Sequence, residues 1–240
     1  MRVVVLGCGT CVGKTRLSVA LIRALAARGH FALGLKPIES GVERGESLVA
    51  PAGSDACALA TASSVQTRVP HPLYALREPV SPHLAARTEA IHLDLQRVVA
   101  WVEEAETAVT PHVVLRSALW TIIETAGGVF SPLAPGLANF DLALALEPAI
   151  WVLVAADSLG VLHEVSSTLK AMRACGREPE HLVLCGAREP DASTGSNAAE
   201  LAVLGIAKTS AVLARHDDQG VTELLDRLLG LELRTAREAR

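Results

Sequence analysis

The stretch that most constrains the fold is VVVLGCGTCVGKT, residues 3–15, in which β-branched and aliphatic residues lead into a glycine-rich turn. A helix-forming run, RLSVALIRALAAR, follows directly. A strand, a tight turn and a helix in that order place backbone N–H groups and the positive end of the helix where a phosphate binds. The stretch therefore predicts a nucleotide phosphate site that contains Lys14, with the Thr15 hydroxyl available to a phosphate-bound Mg²⁺.

The match to the pattern G-x-x-x-x-G-K-[ST] is incomplete. Cys8 stands where the first glycine is expected, and Gly7 and Gly9 flank it. Cys8 and Cys11 also form a C-x-x-C spacing, which fits either a redox pair or two small residues that fill loop positions. We favour the second interpretation, because a disulfide would strain a loop that has to wrap around phosphate.

Composition narrows the fold class. Half of the 240 residues are hydrophobic but only 3% are aromatic, so the core must be built from Leu, Val, Ala and Ile. Such a core suits buried parallel strands that are covered by alanine-rich helices. We therefore expect one α/β domain over residues 1–240, a doubly wound, mostly parallel sheet with helices on both faces.

Charge and apolar patterning exclude several classes of partner. A net charge of −4 provides no basic field for nucleic acid or for an anionic membrane. No apolar run reaches the roughly 20 residues that cross a bilayer, and the chain starts in a strand rather than in a signal peptide. The five cysteines, an odd and scattered set, indicate reduced thiols. We expect a cytoplasmic protein that binds neither nucleic acid nor membrane.

Predicted strands and helices alternate along the chain, as in a doubly wound sheet. The expected helices cover about residues 14–28, 88–105, 140–146, 162–175 and 220–233, with short ones opened by Ser54-Asp55 and near Asn197. The expected strands are FALGLKP, IWVLVAA, HLVLC and one end of VVLRSALWTIIE, for which we favour WTIIE. Segments 42–53 and 69–83 are expected to be irregular.

Four charged residues fall at or just after the ends of expected strands, namely Lys14, Lys36, Glu124 and Asp157. In doubly wound sheets the ligand binds at the carboxyl ends of the strands. We therefore expect these side chains to meet at one edge of the sheet.

Two carboxylates are candidate Mg²⁺ ligands beside Thr15, since Mg²⁺ prefers hard oxygen ligands. Asp55 follows a serine cap at a helix start, where an anion is favoured. Glu124 ends an apolar strand next to glycines, where a desolvated carboxylate needs a cation partner. The alternatives are a simple interaction of Asp55 with the helix dipole and an ordinary surface charge at Glu124.

Lys36 is the candidate residue for phosphoryl transfer. It follows an apolar strand and precedes Pro-Ile-Glu-Ser-Gly, a turn that would aim Lys36 and Ser40 at the phosphate edge. A second lysine there would neutralise charge on a transferring phosphoryl group, which is mostly what such catalysis requires. The alternative is an ordinary exposed lysine at a strand end.

Together these segments resemble a known family. GCGTCVGKT, KPIESG, SDA, EPVSPHLAA and IETAGGVFSPL, in this order, are similar to the motifs of the dethiobiotin synthetases, and the resemblance covers about residues 2–190. The resemblance implies a P-loop NTPase fold with a seven-stranded parallel sheet, and a homodimer. It also implies an ATP-dependent reaction with small-molecule substrates, in which 7,8-diaminononanoate takes up CO₂ as a carbamate, receives the γ-phosphoryl group, and closes into a ureido ring.

The resemblance also implies roles for individual residues, with ATP and Mg²⁺ as cofactors. Lys36, Thr10 and Lys14 would be catalytic, and Thr15, Asp55 and Glu124 would hold the metal. The nucleotide would bind Gly9, Thr10, Cys11, Val12, Gly13, Lys14 and Thr15. The substrate would contact Ser40, Ser81, Gly160 and His163, the last of these in a region that reaches the substrate of the partner subunit.

Two alternatives remain open. A nucleotide-dependent switch of the partitioning-ATPase type shares the fold, although the signature lysine of that class is missing from Cys8-Gly9-Thr10. A diverged relative with a changed substrate is the other, because His163-Glu164 and Thr125 depart from the family pattern.

Overall fold

The computed structural model of the protein describes residues 1–42, 50–67, 69, 71–109, 119–215 and 219–238, with side chains described up to residue 230. The expected irregular loop at 42–53 and the first part of VVLRSALWTIIE therefore lie partly outside the described residues. Within the described residues, no helix has the length and apolar character needed to cross a bilayer.

Strands and helices alternate for most of the described chain. The strands are β1 (Arg2–Gly7), β2 (Phe31–Leu35), β3 (Ile38–Ser40), β4 (Tyr74–Leu76), β5 (Leu119–Glu124), β6 (Pro132–Ala134), β7 (Leu137–Ala138), β8 (Ile150–Asp157), β9 (His181–Gly186) and β10 (Ala211–Leu213). The helices are α1 (Lys14–Ala27), α2 (Asp55–Ala62), α3 (Pro82–Thr88), α4 (Leu95–Val109), α5 (Asn139–Ala145), α6 (Val161–Ala174), α7 (Asn197–Val203) and α8 (Gln219–Glu238).

The main sheet confirms the predicted doubly wound, parallel architecture. In the described part of the chain it has six strands, in the order β10-β9-β8-β1-β5-β2, where the resemblance implied seven. Every neighbouring pair in this sheet is parallel. β1 lies between β5 and β8, so the turn that follows β1 opens at the centre of the carboxyl edge.

Helices cover both faces of the sheet. Successive residues of a strand point to opposite faces, so each strand contributes side chains to two buried clusters. Val3 and Val5 of β1 pack in one buried cluster with residues of α1 and α8, such as Leu21 and Leu224. Val4 and Leu6 belong to the other cluster, which includes residues of α4, α5 and α6. The strands are apolar on both faces for this reason.

Two short sheets lie beside the main one. β3 pairs in parallel with β4, and β6 pairs antiparallel with β7. The first of these was not predicted, since β4 falls within the segment 69–83 that was expected to be irregular. A strand of three residues is too short to show an alternating pattern.

The helical period expected at 88–105 was placed too early. α3 already ends at Thr88, and Ala90 has a positive φ of 52° that interrupts the helix. α4 begins only at Leu95, after Asp94, whose carboxylate accepts a hydrogen bond from the Gln96 N–H. The region 88–105 therefore holds the last residue of α3, a break and most of α4, where the apolar spacing indicated one helix.

Candidate active site

The turn between β1 and α1 needs glycine at two positions. A Cβ on Gly7 would lie 2.7 Å from the Gly9 carbonyl oxygen. Gly13 has φ +99°, and a Cβ there would lie 2.6 Å from the Cys185 Cβ. The Cys8 N–H donates to the Val154 carbonyl at 2.8 Å, as in an extended strand end. Position 7 of this turn therefore requires glycine, whereas position 8 does not. This explains why Cys8 can stand where the pattern expects the first glycine.

The turn encloses a cavity of about 280 Å³, which we call the phosphate cradle. Its lining residues are Thr10, Cys11, Val12, Gly13, Lys14, Thr15, Arg16, Lys36, Asp55, Glu124 and Gly127. All predicted nucleotide-binding residues except Gly9 lie on this wall, and the Gly9 carbonyl accepts a hydrogen bond from Lys14 Nζ at 3.1 Å.

Lys14 is held close to the centre of the turn. Burial lowers the pKa of its ammonium to about 8, and the positive charge of Lys36 acts in the same direction. A bound polyphosphate would offset both effects, because it brings negative charge to the ammonium group. The geometry of Lys14 fits the phosphate-binding role predicted for it.

Glu124 is fully buried and collects three donors at the carboxyl end of β5. Its Oε1 atom accepts from Lys36 Nζ at 2.6 Å and from the Thr15 hydroxyl at 2.9 Å. Its Oε2 atom accepts from the Ser18 hydroxyl at 2.9 Å. Ser18 was missed by sequence reasoning, although its spacing of three residues from Thr15 on α1 places both hydroxyls on one helix face.

Lys36 bridges the two acidic residues. Its Nζ atom lies 2.6 Å from Glu124 and 3.0 Å from Asp55 Oδ2. Burial lowers the pKa of Lys36, but the negative charges of Glu124 and Asp55 outweigh burial, so the net pKa is raised. Burial likewise raises the pKa of Asp55, and the Lys36 charge outweighs it and lowers that pKa. The alternative of an exposed strand-end lysine is therefore wrong.

The backbone of Lys36 has a partner that the sequence did not reveal. Its N–H donates to His71 Nε2 at 2.7 Å, and the His71 ring lies 5.8 Å from the Trp101 ring between centroids. Burial lowers the pKa of His71 to about 4, and the nearby Lys36 charge contributes. His71 is therefore a neutral acceptor at neutral pH and fixes the end of β2.

A second turn follows Glu124 and borders the phosphate cradle. Thr125 donates its hydroxyl to the Val5 carbonyl at 3.1 Å. The buried Asn139 side chain donates to the carbonyls of Ala126, at 2.5 Å, and Gly128, at 2.9 Å. These bonds join the β5 turn to β1 and α5, so the cradle wall on this side is built from three elements.

A larger cavity of about 830 Å³ adjoins the cradle. Its polar lining includes Thr10, Lys36, Glu39, Ser40, Asp55, Ser81 and Ser131. Thr10, Lys36, Asp55 and Gly127 line both cavities, and we call these four residues the common wall.

Two of the predicted substrate-binding residues lie on this larger cavity. Ser40 Oγ is shielded from solvent and has no hydrogen-bond partner among the described residues. Ser81 Oγ lies 2.9 Å from His83 Nδ1. The Ser81 hydroxyl is at a position from which it can meet a ligand in the cavity, whereas the Ser40 hydroxyl is covered in this structure.

Gly160 and His163 are not brought to either cavity. They lie at the exposed start of α6, and neither lines the cradle or the larger cavity. Leu159 beside them has a relative exposure of 83%. Within one chain, these two predicted substrate contacts are separate from the rest of the site.

Asp157 corrects the expectation that four charges meet at this edge. Its carboxylate accepts from the Asn197 side chain at 2.7 Å and from the Gly195 N–H at 2.8 Å. A buried carboxylate must be hydrogen-bonded. Asp157, at the carboxyl end of β8, finds its donors in the loop before α7 and in Asn197, and it therefore anchors that loop.

The oxygen donors beside the cradle suit Mg²⁺. Thr15, Asp55 and Glu124 offer a hydroxyl and two carboxylates on adjacent walls. In the described residues, no group of three or more His, Cys, Asp or Glu side chains forms a cage for a metal ion. Mg²⁺ is ordinarily held by one or two carboxylates together with phosphate oxygens and waters, so this donor set fits it.

The cysteines of the turn are free thiols. Cys8, Cys11, Cys57, Cys175 and Cys185 are all unpaired. Burial raises the pKa of Cys8 to about 11, which disfavours the thiolate that redox exchange needs. This favours the interpretation of Cys8 as a small residue that fills a loop position.

The sequence is similar to one family model and to several curated proteins. A family model described as an AAA domain matches residues 1–218. A protein named ATP-dependent dethiobiotin synthetase BioD from Caulobacter sp. (strain K31) is 39% identical over 173 residues, 71% of this chain and 69% of its own length. The protein of the same name from Anaeromyxobacter dehalogenans (strain 2CP-1) is 36% identical over 220 residues, 89% of this chain and 90% of its own length.

Solved structures are similar in fold at low identity. The MinC:MinD complex of Aquifex aeolicus aligns with a TM-score of 0.52 and 11% identity, covering 95% of this chain and 96% of that one. The receptor FtsY of Elizabethkingia anophelis gives 0.54 and 14%, covering 94% and 64%. A ParA family ATPase of Chlorobium tepidum gives 0.50 and 12%, covering 93% and 87%. These likenesses concern the fold alone.

Proposed function

The chain belongs to the ATP-dependent dethiobiotin synthetase family, and we propose that it joins CO₂ to 7,8-diaminononanoate and closes the ureido ring at the expense of ATP. The common wall carries this proposal. A reaction that moves a phosphoryl group from a nucleotide to a bound carbamate needs two adjoining sites, so that the carbamate oxygen can reach the γ-phosphorus. Lys36 and Thr10 line both the phosphate cradle and the larger cavity, where these two spaces adjoin.

The bond changes follow from the substrates. One amine of the diamine bonds to the carbon of CO₂ and loses a proton, which gives a carbamate. A carbamate oxygen then bonds to the γ-phosphorus of ATP, and the bond from that phosphorus to the ADP oxygen breaks. Finally the second amine attacks the carbamoyl carbon, the carbon–oxygen bond to phosphate breaks, and phosphate leaves as the proton of the amine is released.

The residues of this chain bind and neutralise charge in these steps. Lys14 and the N–H groups of the turn hold the phosphates in the cradle. Lys36 stabilises the carbamate and the negative charge on the migrating phosphoryl group, while Thr10 faces both ligands. Much of the rate then comes from holding the carbamate oxygen near the γ-phosphorus.

Thr15, Asp55 and Glu124 would hold Mg²⁺. The metal supplies charge neutralisation for the triphosphate when it is bound. Lys36 pairs with both carboxylates, and the Lys14 ammonium also acts on them, so the acidic charge at this place is balanced before a ligand binds. The hard oxygen atoms of the two carboxylates and of the Thr15 hydroxyl, rather than a surplus of negative charge, support binding of a divalent cation.

The diamine is assigned to the larger cavity, with Ser40 and Ser81 as its contacts. The position of both serines supports this assignment, because each of them lines the larger cavity. The carboxylate tail of the substrate is assigned to Gly160 and His163 of a partner subunit in a homodimer. The exposed Leu159 next to them supports an interface at the start of α6.

The proposal places this enzyme in the cytoplasm as a single P-loop NTPase-like domain. Five free thiols support a reducing compartment. A nucleotide-dependent switch is the second candidate, and only the likeness in fold to MinD and ParA family proteins favours it.

One assay tests the function. The purified chain is given 7,8-diaminononanoate, bicarbonate, Mg²⁺ and ATP, and dethiobiotin and phosphate are measured. We expect both products in equal amounts, with none when the diamine is left out. ATP hydrolysis that ignores the diamine would favour the switch. Nucleotide binding without dethiobiotin would favour a diverged relative with another substrate.

A further inference from the structure

The segment from Lys36 to Ser40 contacts the first turn of α2 at a second point besides Lys36. Glu39 Oε1 accepts a hydrogen bond from the Asp55 N–H at 2.6 Å. Glu39 Oε2 accepts from the Ala56 N–H at 2.9 Å. One carboxylate thus takes the first two N–H groups of the helix, which have no partner inside the helix itself.

The rest of the α2 start is already satisfied. The Ser54 hydroxyl accepts from the Cys57 N–H at 3.0 Å, and the Ala58 N–H donates to the Ser54 carbonyl at 3.1 Å. Ser54 is the expected helix cap, as the sequence indicated. Glu39 therefore adds to a helix that is capped without it, and its particular effect falls on Asp55 and Ala56.

Asp55 is consequently held at both of its ends. Its backbone N–H is bound by Glu39, and its carboxylate is bound by Lys36 Nζ at 3.0 Å. Both partners come from one five-residue segment of the chain. The Asp55 side chain itself remains partly open to solvent, with a relative exposure of 43%, and it lines both cavities.

Glu39 is well placed for this task because it is almost completely buried. Its relative exposure is 6%, and the loss of the bond from the Ala56 N–H would leave a buried donor without a partner. A negative charge at the N-terminus of α2 is also favoured by the helix dipole. The contact is therefore rigid and costly to break.

We propose that Glu39 is a positioning residue that fixes Asp55 for metal binding, through its two hydrogen bonds to the start of α2. This inference rests on the proposed function, in which Asp55 is a ligand of Mg²⁺. Glu39 also lines the larger cavity, so a direct contact with the diamine is the competing explanation.

The test measures metal binding without turnover. Mn²⁺ affinity of the ADP complex is determined by electron paramagnetic resonance for the wild type, Glu39→Gln, Asp55→Asn and the double variant. Glutamine keeps the volume of Glu39 but offers one acceptor and turns an NH₂ group toward the second N–H. We expect Glu39→Gln to weaken Mn²⁺ binding about 10-fold, the range seen when a partner of a metal ligand is removed.

Coupling separates positioning from a direct role. We expect the double variant to bind Mn²⁺ as Asp55→Asn does, within about twofold, because Glu39 acts through Asp55. The matched control is Glu180→Gln, which also removes a carboxylate that accepts a backbone N–H, that of Trp151 at 2.7 Å, and which should leave Mn²⁺ affinity unchanged. Metal-free ADP affinity should stay the same in Glu39→Gln and in Glu180→Gln.

Any one of four results would overturn the inference. Unchanged Mn²⁺ affinity in Glu39→Gln, or effects that simply add in the double variant, would show that Glu39 does not act through Asp55. A raised KM for the diamine with normal Mn²⁺ affinity would assign Glu39 to the substrate instead. If Asp55→Asn itself leaves Mn²⁺ affinity unchanged, the metal role of Asp55 in the proposed function fails as well. Should Glu39→Gln not fold, Glu39→Asp, whose shorter side chain cannot reach both N–H groups, replaces it with the same expectations.

Discussion

Lys36 stands in an environment that differs from that of any surface lysine. Its side chain has a relative exposure of 4%, and its ammonium group is shared between Asp55 and Glu124. A buried ammonium is stable only when its partners compensate for lost hydration, and here two carboxylates do so. The positive charge of Lys36 is therefore held in place before any ligand binds. A charge that is already in position stabilises a transition state, rather than only attracting the ligand.

We expect Lys36→Ala to lower kcat about 10²- to 10³-fold while ADP affinity stays within about threefold, as for loss of one charge-stabilising group. Lys14→Ala should weaken ADP binding as well, since Lys14 belongs to the turn that holds the phosphates, whereas the Lys36 ammonium is already paired with Asp55 and Glu124. Steady-state kinetics and calorimetric titration with ADP measure the two effects. Equal losses of binding and turnover in Lys36→Ala would contradict a role in the transition state.

Residues at strand ends were predictable from the sequence, and their outer partners were not. Lys36 and Glu124 follow apolar runs, so their meeting at one edge follows from parallel topology. His71 lies 35 positions after Lys36 in a proline-rich segment without periodicity, and no local signal connects them. Asp157 shows a second limit of prediction from the sequence. A position at a strand end predicts the edge of the sheet on which a residue lies, but not the direction in which its side chain points.

At the scale of elements, the segment 69–83 supports the site although it looked irregular. It carries His71, then β4, which pairs with β3 from Ile38↔Tyr74 to Ser40↔Leu76. The pairing holds the segment that bears Lys36 and Glu39 against the domain. The neutral imidazole of His71 makes this arrangement sensitive to acid.

We expect acid to reduce the stability of the protein through His71. Its pKa is about 4 in the folded protein and near 6.5 when unfolded, so its contribution is complete above about pH 6.5 and is lost as the pH falls toward 4. His71→Gln keeps an acceptor for the Lys36 N–H but cannot titrate. Between pH 7 and 4.5 the wild type should lose about 2 kcal/mol more unfolding free energy than His71→Gln.

Urea unfolding at both pH values measures this difference, and the groups common to both proteins cancel in the comparison. An equal loss in the wild type and in His71→Gln would mean that His71 is not buried as a neutral acceptor. The substitution His71→Gln approximately keeps the volume of the side chain. A difference in unfolding free energy that is already present at pH 7 would therefore report on packing against Trp101 rather than on titration.

Long elements were predicted better than short ones, for a physical reason. α1 and β8 are apolar over many residues, and packing against both faces of the sheet leaves a clear pattern. Between α3 and α4, the break is set by the backbone of Ala90 rather than by any change in apolar spacing. Features that depend on one residue's conformation are not visible in a periodicity.

At the scale of the whole molecule, the site within one chain is incomplete in the proposed mechanism. The common wall and the larger cavity belong to one edge of the sheet, whereas Gly160 and His163 lie at the exposed start of α6. Two-fold symmetry in a dimer can bring such a surface to the site of the other copy. In the predicted homodimer, one subunit therefore supplies the common wall of a site, and the other subunit supplies Gly160 and His163 to the same site.

We expect two impaired variants to restore activity when they are mixed. Lys36→Ala lacks a catalytic group, and His163→Glu should repel the substrate carboxylate. In a hybrid dimer, one site combines the intact Lys36 of one subunit with the intact His163 of the other. Random exchange should recover about a quarter of wild-type activity, because half of the dimers are hybrids with one native site each.

The mixture is assayed for dethiobiotin after unfolding and joint refolding, at a diamine concentration near the wild-type KM. Each variant refolded alone is the control. Activity that equals the mean of the two controls would mean that His163 serves its own chain or no site at all. Sedimentation of the wild type should independently give the mass of a dimer.

Thr10, Lys36, Asp55 and Gly127 border the phosphate cradle on one side and the larger cavity on the other. A compound that joins a polyphosphate mimic to a short diamine-like chain would reach over this boundary and occupy both spaces at once. The second half would then bind at the high effective concentration set by the linker, so two weak fragments would become one tight inhibitor. Nucleotide-binding enzymes that lack the adjoining cavity would bind only the polyphosphate half of such a compound.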